Sequence, residues 1–358
     1  MSFSKRLQTL SRSLATLRVD YLLITHLPNV RYLCGFTGSA GALLAGGPEP
    51  VFFTDGRYTM QAHQEVQGAM VRIEQKAPLA AATEWIGRKR GRTLGIEGDH
   101  LTVAAGARVR GLLPKPWRLR AVSSVVERQR MIKDSAEIEL TRKAVNLGSS
   151  LFRSLVKSVR PGVAEATVAA KLQYAARVAG AEAMSFDTIV AAGPRSALPH
   201  GRASAAAIPR RGLVVLDYGV ILSGYCSDMT RTVSVGRASA KERAWYTAVL
   251  EAQIAGIAAV RAGATAGEVD AAARKVLKQS GLGKHFTHST GHGVGLEIHE
   301  SPRLAAGETA VLQSGMVVTI EPGVYIPGEG GVRIEDMVLV TQSGCEVLTP
   351  TNKELITI

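Results

Sequence analysis

An α/β domain followed by an α+β domain, whose helices cover a curved antiparallel sheet, is the fold class that three features of the chain predict. Up to about residue 125, short β-branched segments alternate with helical ones. A long helical stretch then opens at Asp134, a good N-cap residue, and ends near Pro161-Gly162. Beyond it, apolar strands interrupted by frequent Gly read as antiparallel hairpins. The boundary falls between about 122 and 133, which assigns residues 1–125 to an N-terminal domain and 126–358 to a C-terminal one.

Phe3, Leu7, Leu10, Leu14 and Leu17 recur at helical spacing, so the chain opens on an amphipathic helix. The segment lacks the compact apolar stretch of a signal peptide, and it runs straight into a strand. Strands follow at Tyr21–Thr25, Ala42–Leu44, Val51–Thr54, Val71–Ile73 and Thr93–Ile96. Helices lie between them around Tyr58–Val66, Ala80–Arg90 and Val103–Leu113. Residues 164–180 and 240–280 add three more helices after the long one. Glu97-Gly98-Asp99-His100 has ligand-like residues but sits between a strand and a helix, where capping is the better reading.

Composition excludes some partners. The 358 residues are 46% apolar and 20% charged, ordinary values for a globular chain. No apolar run reaches the roughly 18–20 residues that span a bilayer, so no membrane partner is expected. Cys34, Cys226 and Cys345 are scattered, as free thiols of a cytoplasmic protein would be. The net charge of +13 is uneven: residues 1–130 carry 19 basic and 9 acidic side chains, a surplus of +10. Runs such as RKRGR at 88–92 accompany no recognition motif or stacking platform. They read as a solvated basic surface, and no nucleic-acid partner is expected.

Chemistry concentrates in the C-terminal domain. Asp217 and Asp228 flank Leu222-Ser223-Gly224 symmetrically in LVVLDYGVILSGYCSDMTRTVSV, which places them opposite each other on a hairpin. Glu321 and Glu335 are likewise symmetric about Gly328. Opposed residues on an antiparallel pair have Cβ atoms roughly 4.5–5.5 Å apart, where like charges destabilise the sheet. Two such pairs in apolar hairpins make sense around divalent cations. His292 is a fifth candidate, with Gly291, Gly293 and Gly295 allowing close approach. His285, His288, His292 and His299 are half of the chain's eight histidines. His288 precedes His292 by four residues, but the Ser-Thr-Gly between them opposes a helical ligand pair. Four carboxylates nearly balance two divalent ions. One His among them favours Mn²⁺, Fe²⁺ or Co²⁺ over a thiolate-rich zinc site. Two ions roughly 3.5–4 Å apart can activate water and clamp a tetrahedral intermediate.

The ordered set Asp217, Asp228, His292, Glu321, Glu335, in the strings LDYG, SDMTRT, STGHGVGLEIHE, TIEPGVY and GGVRIED, resembles the pita-bread metallopeptidases. NVRYLCGFTGSAG and FFTDGRY resemble the N-terminal domain of the creatinase, prolidase and aminopeptidase P branch, so the resemblance spans the whole chain. It implies a pita-bread catalytic domain. It also implies two divalent metal ions, Mn²⁺ foremost with Co²⁺ or Zn²⁺ as alternatives. Asp228 and Glu335 would bridge the ions, Asp217 chelate one, and His292 with Glu321 the other. Glu321 would also shuttle a proton, and His200 and His299 would bind the scissile carbonyl. Arg333, Tyr325 and Arg303 would contact substrate, Arg303 matching a position that meets a substrate carboxylate in some prolidases. The implied activity is a cytoplasmic Xaa-Pro aminopeptidase acting on proline-containing peptides. Prolidase, an Xaa-Pro dipeptidase, is the alternative, and an inactive binding protein with a basic N-terminal domain a further one. A homodimer or homotetramer is the assembly the resemblance implies.

Overall fold

A computed structural model describes residues 2–358 as two compact units, 2–130 and 131–358. In the first, Ser2 caps α1 (Phe3–Thr16), which buries Leu7, Leu10 and Leu14 on one face. Then come β1 (Tyr21–Ile24), α2 (Leu27–Cys34), β2 (Ala42–Ala45), β3 (Val51–Asp55), α3 (Thr59–Glu65) and β4 (Met70–Glu74). The unit continues with α4 (Pro78–Ile86), β5 (Thr93–Glu97), α5 (Val103–Leu112), β6 (Arg118–Val122) and α6 (Glu127–Arg130). The strands form one mixed sheet in the order β4-β3-β2-β1-β5-β6, as the α/β reading expects.

Helix α2 and edge strand β6 were not anticipated. The helix has only eight residues, begins with a Pro in its first turn and ends at Gly35 with φ 86°, so it shows little periodicity. The Glu97 carboxylate accepts from the Thr25 and His26 amides (2.7 and 2.9 Å) at the start of α2. It thus anchors the entry to α2 and does not cap the helix that follows it in sequence, α5, whose N-cap is Thr102.

The second unit opens with α7 (Ser135–Ser158), whose Asp134 and Glu137 form a capping box. It is followed by α8 (Glu165–Val178), β7 (Ala183–Met184), β8 (Ile189–Ala192), β9 (Gly212–Tyr218), β10 (Val220–Leu222), β11 (Tyr225–Cys226) and β12 (Met229–Val235). Helices α9 (Ala240–Ala259) and α10 (Ala266–Gln279) start with capping boxes at Ser239/Glu242 and Thr265/Glu268. The chain ends with β13 (Gly291–Gly293), β14 (Glu300–Leu304), β15 (Val317–Ile320), β16 (Gly323–Ile326), β17 (Gly330–Arg333), β18 (Asp336–Val340) and β19 (Cys345–Val347). Antiparallel pairs give the orders β12-β9-β8, β14-β13-β15-β18-β19, β11-β10-β7 and β16-β17. The helices pack on these sheets: Leu151, Leu155 and Leu172 meet Val214 and Leu216, while Trp245 and Val249 meet Val324 and Val332.

The registers refine the two hairpins. Glu321 and Glu335 fall between the pairs Ile320↔Asp336 and Gly323↔Arg333, which share one register, so they are opposed as the symmetry about Gly328 predicts. Asp217 and Asp228 are not directly opposed: Asp217 pairs with Thr230. The turn is a two-residue one at Ser223-Gly224 (φ 51° and 82°) closed by Leu222↔Tyr225, and this shifts the register from the one that Leu222-Ser223-Gly224 implies. Asp228 lies two residues from Thr230, so both aspartates still face the same side.

One buried network fixes β12 against β18. Arg231, 2% exposed, donates to Asp336 Oδ1 (2.7 Å) and to the carbonyls of Glu335, Thr351 and Asn352. Gln253 and Lys353 also donate to Asp336, each at 2.9 Å. Removing one member strands a buried charge. Asp336→Ala is therefore expected to lower stability by about 3–5 kcal/mol, read by denaturant unfolding. A loss below about 1 kcal/mol would show the network to be dispensable.

Candidate active site

Strands β8, β9, β13, β14 and β17 direct side chains into a cavity of about 780 Å³ in the second unit. Asp217, Asp228, His292, Glu321 and Glu335 all line it, with His200, His299, Arg303 and Arg333. Ligand atoms of Asp228, His292 and Glu335 lie within 4.8 Å of one another. His292 Nε2 is 3.6 Å from Asp228 Oδ2 and 3.4 Å from Glu321 Oε1. Its Nδ1 is 3.0 Å from the Gly293 carbonyl, which fixes the ring so that Nε2 faces the carboxylates. Gly291 and Gly293 lie where a Cβ would come within 1.9 Å of Thr319 O and 2.3 Å of Ser301 O, so β13 can sit this close only as glycine.

Asp217 is held from the other side. Arg333 donates to Asp217 Oδ2 (2.5 Å), Tyr325 Oη (2.6 Å), Thr230 Oγ1 (3.1 Å) and the Pro199 carbonyl (3.1 Å). Thr230 Oγ1 donates to Glu335 Oε2 at 2.7 Å, and Thr319 Oγ1 to Glu321 Oε1 at 3.1 Å. Tyr325 does not line the cavity: it stands behind Arg333, with its hydroxyl 2.8 Å from His288 Nε2. His288 is thus tied to Tyr325 and not to the carboxylates. Its place in the site was missed because its spacing from His292 suggested only a ligand pair. Thr230 and Thr319, hydrogen-bonded to carboxylates, were missed too. Thr after a strand Asp carries no signal until the register is known.

The electrostatics favour cations. Burial, then repulsion from Glu335, Asp217 and Glu321, pushes the Asp228 carboxyl well above the usual range. Burial and the charges of Glu321 and Asp217 do the same to Glu335. Burial raises Glu321 to about 7 against the pull of Arg333. His292 and His299 are pushed down by burial, which keeps imidazoles neutral and able to donate lone pairs. Asp217 Oδ1 and Asp228 Oδ1 are buried without a hydrogen-bond partner, an arrangement that a bound cation satisfies. The Cys226 thiol is buried and raised to about 12, so it stays out of the ligand set. The residues fit divalent metal.

A buried carboxylate–histidine cluster facing a cavity on this fold defines a metal-dependent hydrolase. Residues 139–342 match the model of metallopeptidase family M24 and residues 6–132 that of the creatinase/prolidase N-terminal domain. The chain belongs to metallopeptidase family M24. It is 38% identical to an Xaa-Pro dipeptidase of Pyrococcus furiosus over 98% of this chain and 99% of the relative. An Xaa-Pro dipeptidase structure from Bacillus anthracis superposes with TM-score 0.97 at 39% identity, over 100% of both chains. An X-Pro aminopeptidase structure from Thermotoga maritima gives 0.90 at 34% identity, over 97% of this chain and 100% of that one. Membership of the family implies divalent metal ions.

Metal removal is expected to destabilise the protein, because cations bind only the folded arrangement. Chelation should lower Tm by on the order of 10 °C, and added Mn²⁺ should restore it. An unchanged Tm in protein shown by elemental analysis to have lost its metal would contradict the cation reading. Among variants, Asp228→Asn or Glu335→Gln should lose metal. His299→Ala should retain it and lose roughly 10²–10³ in turnover, the scale of one transition-state donor. Wild-type turnover in His299→Ala would remove that residue from the carbonyl-binding role.

Proposed function

We propose that this protein is an Xaa-Pro dipeptidase, hydrolysing the amide between a first residue and a C-terminal proline. The sequence alone leaned towards the aminopeptidase. The dipeptidases among its relatives, together with one feature of the cavity, reverse that preference. That feature is Arg303. It pairs with His292 across β13 and β14, lines the cavity, and its guanidinium has no hydrogen bond or ion pair among the described residues. A free Arg beside the carboxylate cluster suits a substrate carboxylate, which only a dipeptide carries so close to the scissile bond.

Asp217, Asp228, His292, Glu321 and Glu335 would hold two divalent ions, with Mn²⁺ the first choice for this oxygen-rich set. Bound there, the ions supply Lewis acidity for the carbonyl and lower the pKa of water. Glu321 takes the proton of the attacking water and returns it to the proline nitrogen as the amide breaks. His200 and His299, on opposite loops, donate to the carbonyl oxygen as it gains charge. Arg333 holds Asp217 in place. Arg303 orients the proline carboxylate. A cytoplasmic location and a dimeric or tetrameric assembly complete this reading.

The test compares Ala-Pro with Ala-Pro-Ala-Ala in the presence of Mn²⁺. The dipeptide should be preferred by at least about tenfold in kcat/KM, and Arg303→Ala should raise its KM by more than about tenfold. A charge-assisted pair is worth roughly 1.5–3 kcal/mol. Equal cleavage of the longer peptide, with Arg303→Ala inert, would return the assignment to the aminopeptidase.

A further inference from the structure

We propose that the Asp187–Arg202 ion pair at the rim of the cavity reads the charge of the substrate's first side chain, with Arg202 favouring an acidic residue there and Asp187 a basic one. The proposal rests on the dipeptidase reading, because it needs a substrate of defined polarity.

The sheet register places the pair. Thr230 pairs with Asp217, Asp217 with Ile189, and Ile189 with Arg202, in one row across β12, β9, β8 and the segment after His200. Neighbouring strands lie about 4.8 Å apart, so Arg202 stands roughly 10 Å from Asp217 on the face that carries the carboxylates. Asp187, two residues before Ile189, meets it: Arg202 Nη2 is 3.1 Å from Asp187 Oδ2. Both line the same cavity as the carboxylate cluster, with Phe186 and Ile189. Arg303 is on the opposite flank, beyond His292.

A dipeptide presents its carboxylate on one side of the scissile bond and its first residue on the other. Its carboxylate belongs at Arg303 and its scissile carbonyl at the carboxylate–histidine cluster, so its first residue lies on the far side of that cluster from Arg303. The first residue's side chain leaves from the carbon that bears the ammonium, away from Arg303. It therefore runs over Phe186 and Ile189 towards Asp187 and Arg202.

That pair is built for exchange. Its side chains are 72% and 81% exposed, and neither has another partner among the described residues. An exposed pair of this kind is worth a factor of only about two to five, so a substrate charge can displace one partner at little cost. The Lys133–Glu300 pair shows the contrast: at 1% and 7% exposure it is locked.

The experiment measures kcat/KM for Lys-Pro and Glu-Pro, each divided by that for Ala-Pro, in the parent protein with Mn²⁺ and in Arg202→Gln and Asp187→Asn. Arg202→Gln should raise the Lys-Pro ratio and lower the Glu-Pro ratio, each by about three- to fivefold. Asp187→Asn should do the reverse, and both effects should shrink in high salt. The same crossed order should appear in calorimetric affinities for analogues whose scissile carbonyl is reduced to methylene, which read binding apart from turnover. Ratios and affinities within about twofold of the parent in both variants would overturn the proposal while leaving the dipeptidase reading intact. No cleavage of Ala-Pro by the parent would overturn that reading and the proposal with it.

Discussion

Mutual repulsion among Asp217, Asp228, Glu321 and Glu335 is the constraint around which the second unit is organised. Four carboxylates in a low-dielectric pocket cost the apo fold stability: burial, with the neighbouring charges, pushes Asp228 and Glu335 well above the usual carboxylate range. The fold answers in two ways. Hydroxyls of Thr230 and Thr319 and the guanidinium of Arg333 satisfy one oxygen each on Glu335, Glu321 and Asp217. Asp217 Oδ1 and Asp228 Oδ1 are left buried without a hydrogen-bond partner. A cavity that stabilised its carboxylates fully with protein donors would have no affinity left for cations. Partial satisfaction is what makes the site a metal site and not a structural ion-pair network.

The same constraint explains why so much rigid structure surrounds the cluster. Glu335 and Asp336 are neighbours that point to opposite sides of the strand. One faces the cavity, while the other anchors Arg231, Gln253 and Lys353. On the far flank, the buried Lys133–Glu300 pair fixes Glu300, whose carboxylate also accepts from the Glu297 amide. His299 and Arg303 flank that anchored residue closely in the chain, so the groups proposed to meet substrate emerge from the braced start of β14. Preorganisation of this kind matters because groups that stabilise a developing charge act fully only if they need not move.

How much of this was legible depended on whether the signal was local. The α/β and α+β architecture followed from strand–helix alternation and caps such as Asp134. The Glu321/Glu335 opposition followed from symmetry about a single glycine. The Asp217/Asp228 pairing was half right, because positive φ at Ser223 and Gly224 moved the turn. Gly219, where a Cβ would meet Ser227 O at 1.7 Å, shows how tightly the strands close there. Helix α2 was too short and too irregular to show a period. The Arg231–Asp336, Lys133–Glu300 and His288–Tyr325 contacts were invisible for another reason. They join residues distant in the chain, and nothing in either local sequence names the partner.

Fold and central chemistry cannot separate a dipeptidase from an aminopeptidase, since both kinds of relative share this architecture over nearly the whole chain. The distinction has to reside where the two substrates differ, beyond the scissile bond. On the proline side, a dipeptide ends in a carboxylate and a longer peptide continues as a neutral amide. A cation there without a partner in the protein rewards the first and gains nothing from the second. On the dipeptidase reading proposed above, Arg303, without a partner among the described residues, is such a cation. The opposite rim, with a charge pair already satisfied, discriminates only among side chains that can outbid one of its members. On the proposed reading, specificity in this site divides by flank: an open charge would set the length of the substrate, and a closed, exchangeable pair would grade its first residue.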